Sequence, residues 1–117
     1  MTHDNSNWIA ITNASNIPAR EGRSVSVGHT EIAIFNLGER FAALENKCPH
    51  RGGPLADGIV GGTTVTCPLH NWRVCVDTGD VTKPAGHSAC VRSYAVKVNE
   101  GIVYLNVAEV VEEEAAA

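Results

Sequence analysis

Residues 48–70 read C-P-H-R-G-G-P-L-A-D-G-I-V-G-G-T-T-V-T-C-P-L-H, and the rest of the chain is best read outward from them. Two thiol and two imidazole donors lie here as Cys48-x-His50 and Cys67-x-x-His70, with sixteen residues between the pairs and a proline directly after each cysteine. Soft thiolates favour zinc or iron–sulfur iron, and imidazole suits zinc, copper and iron, so Cys48, His50, Cys67 and His70 are candidate ligands of a metal centre. A zinc finger usually pairs Cys with Cys and then His with His. Here each pair is mixed, so two similar loops can each reach both metals of a binuclear centre. A structural zinc site stays open as the alternative.

Composition bounds the remaining possibilities. At 117 residues the chain reads as one domain that buries about two-thirds of its unfolded surface. The net charge of −4 comes from the end: Glu109, Glu112, Glu113 and Glu114 are four of the thirteen acids, leaving nine against nine basic residues in 1–108. A neutral body offers no basic stripe to neutralise phosphates, which argues against a nucleic-acid partner. No apolar run approaches the ~20 residues needed to span a bilayer. The start, M-T-H-D-N-S-N-W, has neither the basic nor the apolar region of a secretory signal. The expectation is a cytoplasmic protein with no membrane partner. In that reducing setting Cys48, Cys67, Cys75 and Cys90 are expected as ligands or buried thiols rather than as a disulfide framework.

The pattern along the chain is that of β structure, with turn-punctuated strands, no long helical period and no repeat. Strands are expected at Trp8–Thr12, Ser24–Val27, Glu31–Leu37 and Phe41–Glu45, the last running into Cys48. Within Glu31–Leu37, Ile32 and Ile34 point one way and Ala33, Phe35 and Leu37 the other, the marking of a strand covered on both faces. Between the ligand pairs, Gly58–Val60 and Thr64–Thr66 form a hairpin around Gly61-Gly62 that delivers Cys67. Trp72–Asp77 reads as a strand, Val81–His87 as a loop containing Pro84, and Cys90–Val98 and Ile102–Val107 as the closing pair. The fold class is therefore all-β, an antiparallel sandwich or barrel. One domain is expected over 1–107, with the metal-binding segment at about 46–73 and an acidic tail over 108–117.

C-P-H-R-G-G-P-L and C-P-L-H-N-W resemble the two boxes of Rieske proteins, whose [2Fe–2S] centre has two His in place of two Cys on one iron. Three further segments, I-A-I-F-N, A-D-G-I-V-G-G-T-T-V-T and C-V-R-S-Y-A-V-K-V-N-E-G-I-V-Y-L, resemble the Rieske-type small subunit of assimilatory NAD(P)H-dependent nitrite reductase. Ferredoxins of aromatic-ring dioxygenases share most of the pattern. The resemblance implies a Rieske-type β sandwich whose two loops form a cluster-binding subdomain. It implies that Cys48 and Cys67 hold an inner iron, and that His50 and His70 hold an outer iron toward solvent. It also implies a large partner subunit carrying FAD, a further iron–sulfur cluster and siroheme, which reduces nitrite to ammonium with NAD(P)H. No complete active site is expected on this chain alone, because its three other histidines lie scattered and no dinucleotide fingerprint accompanies a βαβ pattern. Arg51, beside His50, is a candidate for docking on an acidic partner.

High-potential members of the family carry an extra disulfide-forming Cys in each box, and Ser and Tyr hydroxyls in the second. Here Gly53, Leu69, Trp72 and Val74 stand at those places. Without hydroxyl donors to the cluster sulfurs, the reduced state gains less stabilisation, so voltammetry is expected to give a potential of about −150 mV rather than +300 mV. Ionisation of the ligand histidines should shift that potential at alkaline pH. Cys75 and Cys90 read as buried structural thiols, and Trp72 and Leu69 as core or as an apolar cap beside the metal.

Overall fold

In the computed structural model, residues 8–48, 53–69, 71–84 and 90–107 are described. Among these residues eleven strands run in chain order: β1 (Trp8–Asn13), β2 (Gly22–Val27), β3 (Thr30–Asn36), β4 (Phe41–Glu45), β5 (Ile59–Gly61), β6 (Thr64–Thr66), β7 (Arg73–Cys75), β8 (Val81–Lys83), β9 (Ser93–Tyr94), β10 (Val96–Asn99) and β11 (Ile102–Asn106). Two single 3₁₀ turns, Ala14–Asn16 and Leu55–Asp57, are the only helical segments among the described residues. No helix in this part of the chain is long and apolar enough to cross a membrane.

All pairing is antiparallel, in three sheets ordered β1-β11-β10, β2-β3-β4-β9 and β5-β6-β7-β8. The second sheet is the middle layer. Ile32 and Ile34 of β3 pack with Val103, Leu105 and Val107 on its one side. Ala33 and Phe35 of the same strand, with Leu37 just beyond it, pack with Val60, Val65, Val74 and Val76 on the other. The period-two alternation read from sequence thus separates two hydrophobic cores, and β4 repeats the division with Ala43 on one side and Ala42 and Leu44 on the other. Burying each large side chain here is worth about 1.5–3 kcal/mol, so a one-residue slip of β3 would exchange Ile32 and Ile34 with Ala33 and Phe35 and misfill both cores.

The structure corrects the sequence reading at four places. The hairpin between the ligand pairs turns at Gly62-Thr63, because Gly61 pairs with Thr64; Gly62 has φ +60 and the register brings Val60 and Val65 face to face. Val81–Lys83, expected within a loop, is the edge strand β8 beside β7. Pro84 follows its last residue, so the missing N–H does not interrupt the ladder. Cys90–Val98 is not one strand. Tyr94 pairs with Ala43 in the middle sheet, whereas Val96 pairs with Leu105 in the first, and the chain changes sheets at Ala95, whose carbonyl accepts from the Asn106 N–H at 3.0 Å. Such a corner joins two sheets without a loop. Lastly, Cys90 is exposed, in an isolated bridge with Asp80, and Cys75 is only half-buried.

The third sheet is also tied to the middle one by charge. Arg40, in the β3–β4 turn, donates to both carboxylate oxygens of Asp77 beyond β7, at 2.6 and 2.8 Å. This pair holds the Asp77 carboxyl below its usual range and raises the Arg40 guanidinium, mainly through the hydrogen bond itself. Since the folded carboxyl titrates below the unfolded one, the pair adds stability above the unfolded carboxylate pKa and loses it as pH falls through the lowered folded value. Asp77→Asn is therefore expected to lower the melting midpoint slightly at neutral pH. The gap from wild type should close on acidification and, because both side chains are exposed, on adding salt. Melts across a pH and salt series check this.

Candidate metal centre

Two loops carry the sequence-predicted ligands, and both spring from strand ends. β4 runs through Asn46 and Lys47 into Cys48, and β6 ends at Thr66, directly before Cys67. Each cysteine closes the neck of its own loop. The Cys48 N–H donates to the Gly53 carbonyl at 2.7 Å, and the Cys67 N–H donates to the Trp72 carbonyl at 2.7 Å. In the second loop the Asn71 N–H also donates to the Cys67 carbonyl at 3.1 Å, with Asn71 itself at φ +63. Asparagine is among the residues that best tolerate that left-handed conformation.

The two sulfurs are held inside the fold. Cys48 is 2% exposed and Cys67 0%, and both belong to the core between the middle and third sheets, against which Trp72 packs. Trp72 is thus part of the floor of the site. Leu69, by contrast, is 57% exposed at the tip of the second loop. The loops meet at Gly53: a Cβ there would lie 2.9 Å from the Cys67 Sγ and 2.9 Å from the Leu69 Cδ1. Gly53 and Leu69, the positions at which the resemblance placed the missing extra cysteines, therefore face each other across the two loops and are joined by packing instead of a covalent bond. No disulfide links any of the four cysteines. His50 and His70, with the docking candidate Arg51, lie outside the described residues.

The residues present fit an iron–sulfur centre. Two buried thiols stand at the mouths of abutting loops, and the space beside one sulfur is kept clear by the absence of a side chain at Gly53. A buried thiol is inert unless a metal takes it as thiolate, and soft thiolate donors select zinc or iron–sulfur iron. Among the described residues, which leave out His50 and His70, no three of His, Cys, Asp or Glu are grouped so as to hold a metal.

The Rieske [2Fe-2S] domain model matches residues 7–95 of the chain. The chain belongs to the Rieske [2Fe–2S] family. Its domain is of the kind that carries a [2Fe–2S] cluster and serves as the electron-transfer component of oxidoreductase systems. Ferredoxin CarAc of Metapseudomonas resinovorans is 32% identical over 101 residues, 84% of this Rieske chain and 92% of the ferredoxin. A chain in the solved complex of reduced oxygenase and oxidised ferredoxin of carbazole 1,9a-dioxygenase superposes with a TM-score of 0.76 at 29% identity, covering 86% of this chain and 93% of that one. A chain provisionally described as the NADH-dependent nitrite reductase small subunit of Mycobacterium tuberculosis shares the fold, with a TM-score of 0.74 at 24% identity, covering 84% and 92%.

A bound cluster would supply one-electron transfer. The chain's own contribution would be to keep the sulfurs of Cys48 and Cys67 buried, to fix the separation of the two loops through Gly53 and Leu69, and to anchor both loops on sheet ends rather than on free connections. Rigid donors lower the reorganisation that accompanies a change of charge, which is what an electron carrier requires.

Proposed function

We propose that Cys48, His50, Cys67 and His70 hold a [2Fe–2S] cluster, the cysteines on an inner iron and the histidines on an outer one. In this reading the chain is the small, electron-transferring subunit of an assimilatory NAD(P)H-dependent nitrite reductase, working in the cytoplasm with no membrane or nucleic-acid partner. FAD, siroheme and NAD(P)H belong to the large partner subunit. The observation that carries the electron-transfer part is the pair of buried sulfurs at the mouths of two loops that touch at Gly53 and Leu69. The nitrite reductase part is supported by the segments A-D-G-I-V-G-G-T-T-V-T and C-V-R-S-Y-A-V-K-V-N-E-G-I-V-Y-L outside the ligand boxes.

A second reading is favoured by the identity shared with Ferredoxin CarAc over nearly its whole length: a free-standing ferredoxin delivering electrons to an aromatic-ring oxygenase. Affinity capture with the tagged, cluster-loaded chain separates the two. Recovery of a siroheme flavoprotein supports nitrite reduction, and recovery of a ring-hydroxylating oxygenase supports the ferredoxin. The ligand set is tested by Cys67→Ala and His70→Ala, each expected to abolish the visible and EPR signals of the cluster and to strip iron and acid-labile sulfide together. A colourless wild-type protein containing zinc after anaerobic reconstitution would overturn the redox reading in both forms.

A further inference from the structure

Asn46 is the one polar residue buried in the core among the described residues, at 8% exposure. Its backbone N–H donates to the Glu31 carbonyl at 2.8 Å, extending the β3–β4 ladder one residue beyond β4. Its side-chain Oδ1 accepts the N–H of Ala56 at 2.8 Å, ten residues along the chain. Ala56 lies in the first turn of the 3₁₀ segment Leu55–Asp57, where backbone N–H groups lack partners within the helix. The residue at its N-cap, Pro54, makes no side-chain capping bond. Ala56 is itself buried, so Asn46 satisfies from a distance a donor that would otherwise be desolvated without an acceptor.

Loop 48–53 lies between these two anchored points. The 3₁₀ segment is seated tightly on the middle sheet, since a Cβ at Gly22 of β2 would come within 2.9 Å of the Ala56 carbonyl oxygen. Asn46 is held to the same sheet through β3. The loop is therefore closed twice, at its neck by Cys48 to Gly53 and one level lower by Asn46 to Ala56.

We propose that Asn46 is a positioning residue for the cluster: through its Oδ1 it holds the Cys48 loop at a fixed height above the middle sheet, and so in register with the Cys67 loop at Gly53. The inference rests on the cluster reading proposed above and deepens it.

The test uses the reconstituted full chain with Asn46→Ala, which removes the acceptor, and Asn46→Asp, which keeps a side-chain oxygen in place. Asn46→Ala is expected to speed amide exchange in the segment 53–58 by about tenfold or more, the consequence of orphaning a buried donor. It should also shift the EPR g values of the reduced cluster and hasten cluster loss. Asn46→Asp should restore slow exchange and retention, with a lowered reduction potential from the added negative charge. If Asn46→Ala shows wild-type exchange, g values and retention, the proposal is wrong. Should Asn46→Ala fail to fold, Asn46→Asp decides: wild-type-like exchange and loading support the role, and their loss overturns it. Failure of the wild-type chain to hold iron and sulfide would instead refute the cluster reading, while the exchange comparison would still judge the Asn46 brace.

Discussion

Gly53→Ala is expected to yield a folded protein that holds little iron. The added methyl would sit 2.9 Å from the Cys67 Sγ and equally close to Leu69. Leu69 is exposed and can swing aside, but the sulfur cannot, because Cys67 is fully buried and its N–H is bonded into the neck of the second loop. Relief must therefore come from parting the two loops, by a few tenths of an ångström to an ångström, which is the scale of misplacement that ruins a first coordination shell. Cys67 is one of many members of the first core, and none of the atoms nearest the added methyl belongs to the second, so the fold should survive. Iron and sulfide content is expected to fall by most of its value, while far-ultraviolet circular dichroism stays close to that of wild type. Leu69→Ala in the same background opens space on one side only, and should restore little.

Gly79→Ala should act on the opposite property, unfolding the protein without touching a ligand. Gly79 sits at φ +82, a conformation a residue with a Cβ adopts only at a cost, and the methyl of an alanine there would overlap the carbonyl oxygen of Val91. The contact is with backbone, and it is held from both sides. The Gly79 N–H donates to the Cys75 carbonyl at 2.8 Å, and the Val91 N–H donates to the Gly79 carbonyl at 2.9 Å. Neither strain can be relieved by a rotamer change. A loss of about 3 kcal/mol or more is expected, lowering the melting midpoint by about 10 °C or more. Denaturant titration of the loaded protein measures it. A midpoint within a degree of wild type would show that the β7–β8 connection is not pinned against the segment leading to β9.

The sequence reading was most successful where the physics is local. The alternation of Ile32 and Ile34 against Ala33 and Phe35 is visible in one strand, and the structure places the two sets in different cores as that alternation requires. Cys48 and Cys67 were singled out by residue type and spacing, and both are buried at the mouths of loops. The reading failed where pairing outweighed composition. Pro84 marked Val81–Lys83 as loop, yet the strand ends before the proline. Cys90–Val98 alternates like one strand, yet it is divided at Ala95 because two sheets compete for its halves. Cys90 looked like a buried thiol, but its position on an exposed bridge depends on Asp80, which no local pattern indicates.

By itself, the order of residues determined the β character of the chain, the two-sided burial of its central strand and which thiols and imidazoles stand as candidate ligands, because side-chain period and ligand softness are read from residue types and their spacing. Only the tertiary structure decided that Gly53 meets Leu69 and Cys67, that Asn46 serves Ala56, and that Gly79 lies beneath Val91. Those contacts join residues 10 to 16 positions apart through the packing of separate sheets. Their energies depend on distances of tenths of an ångström, which no spacing of letters specifies.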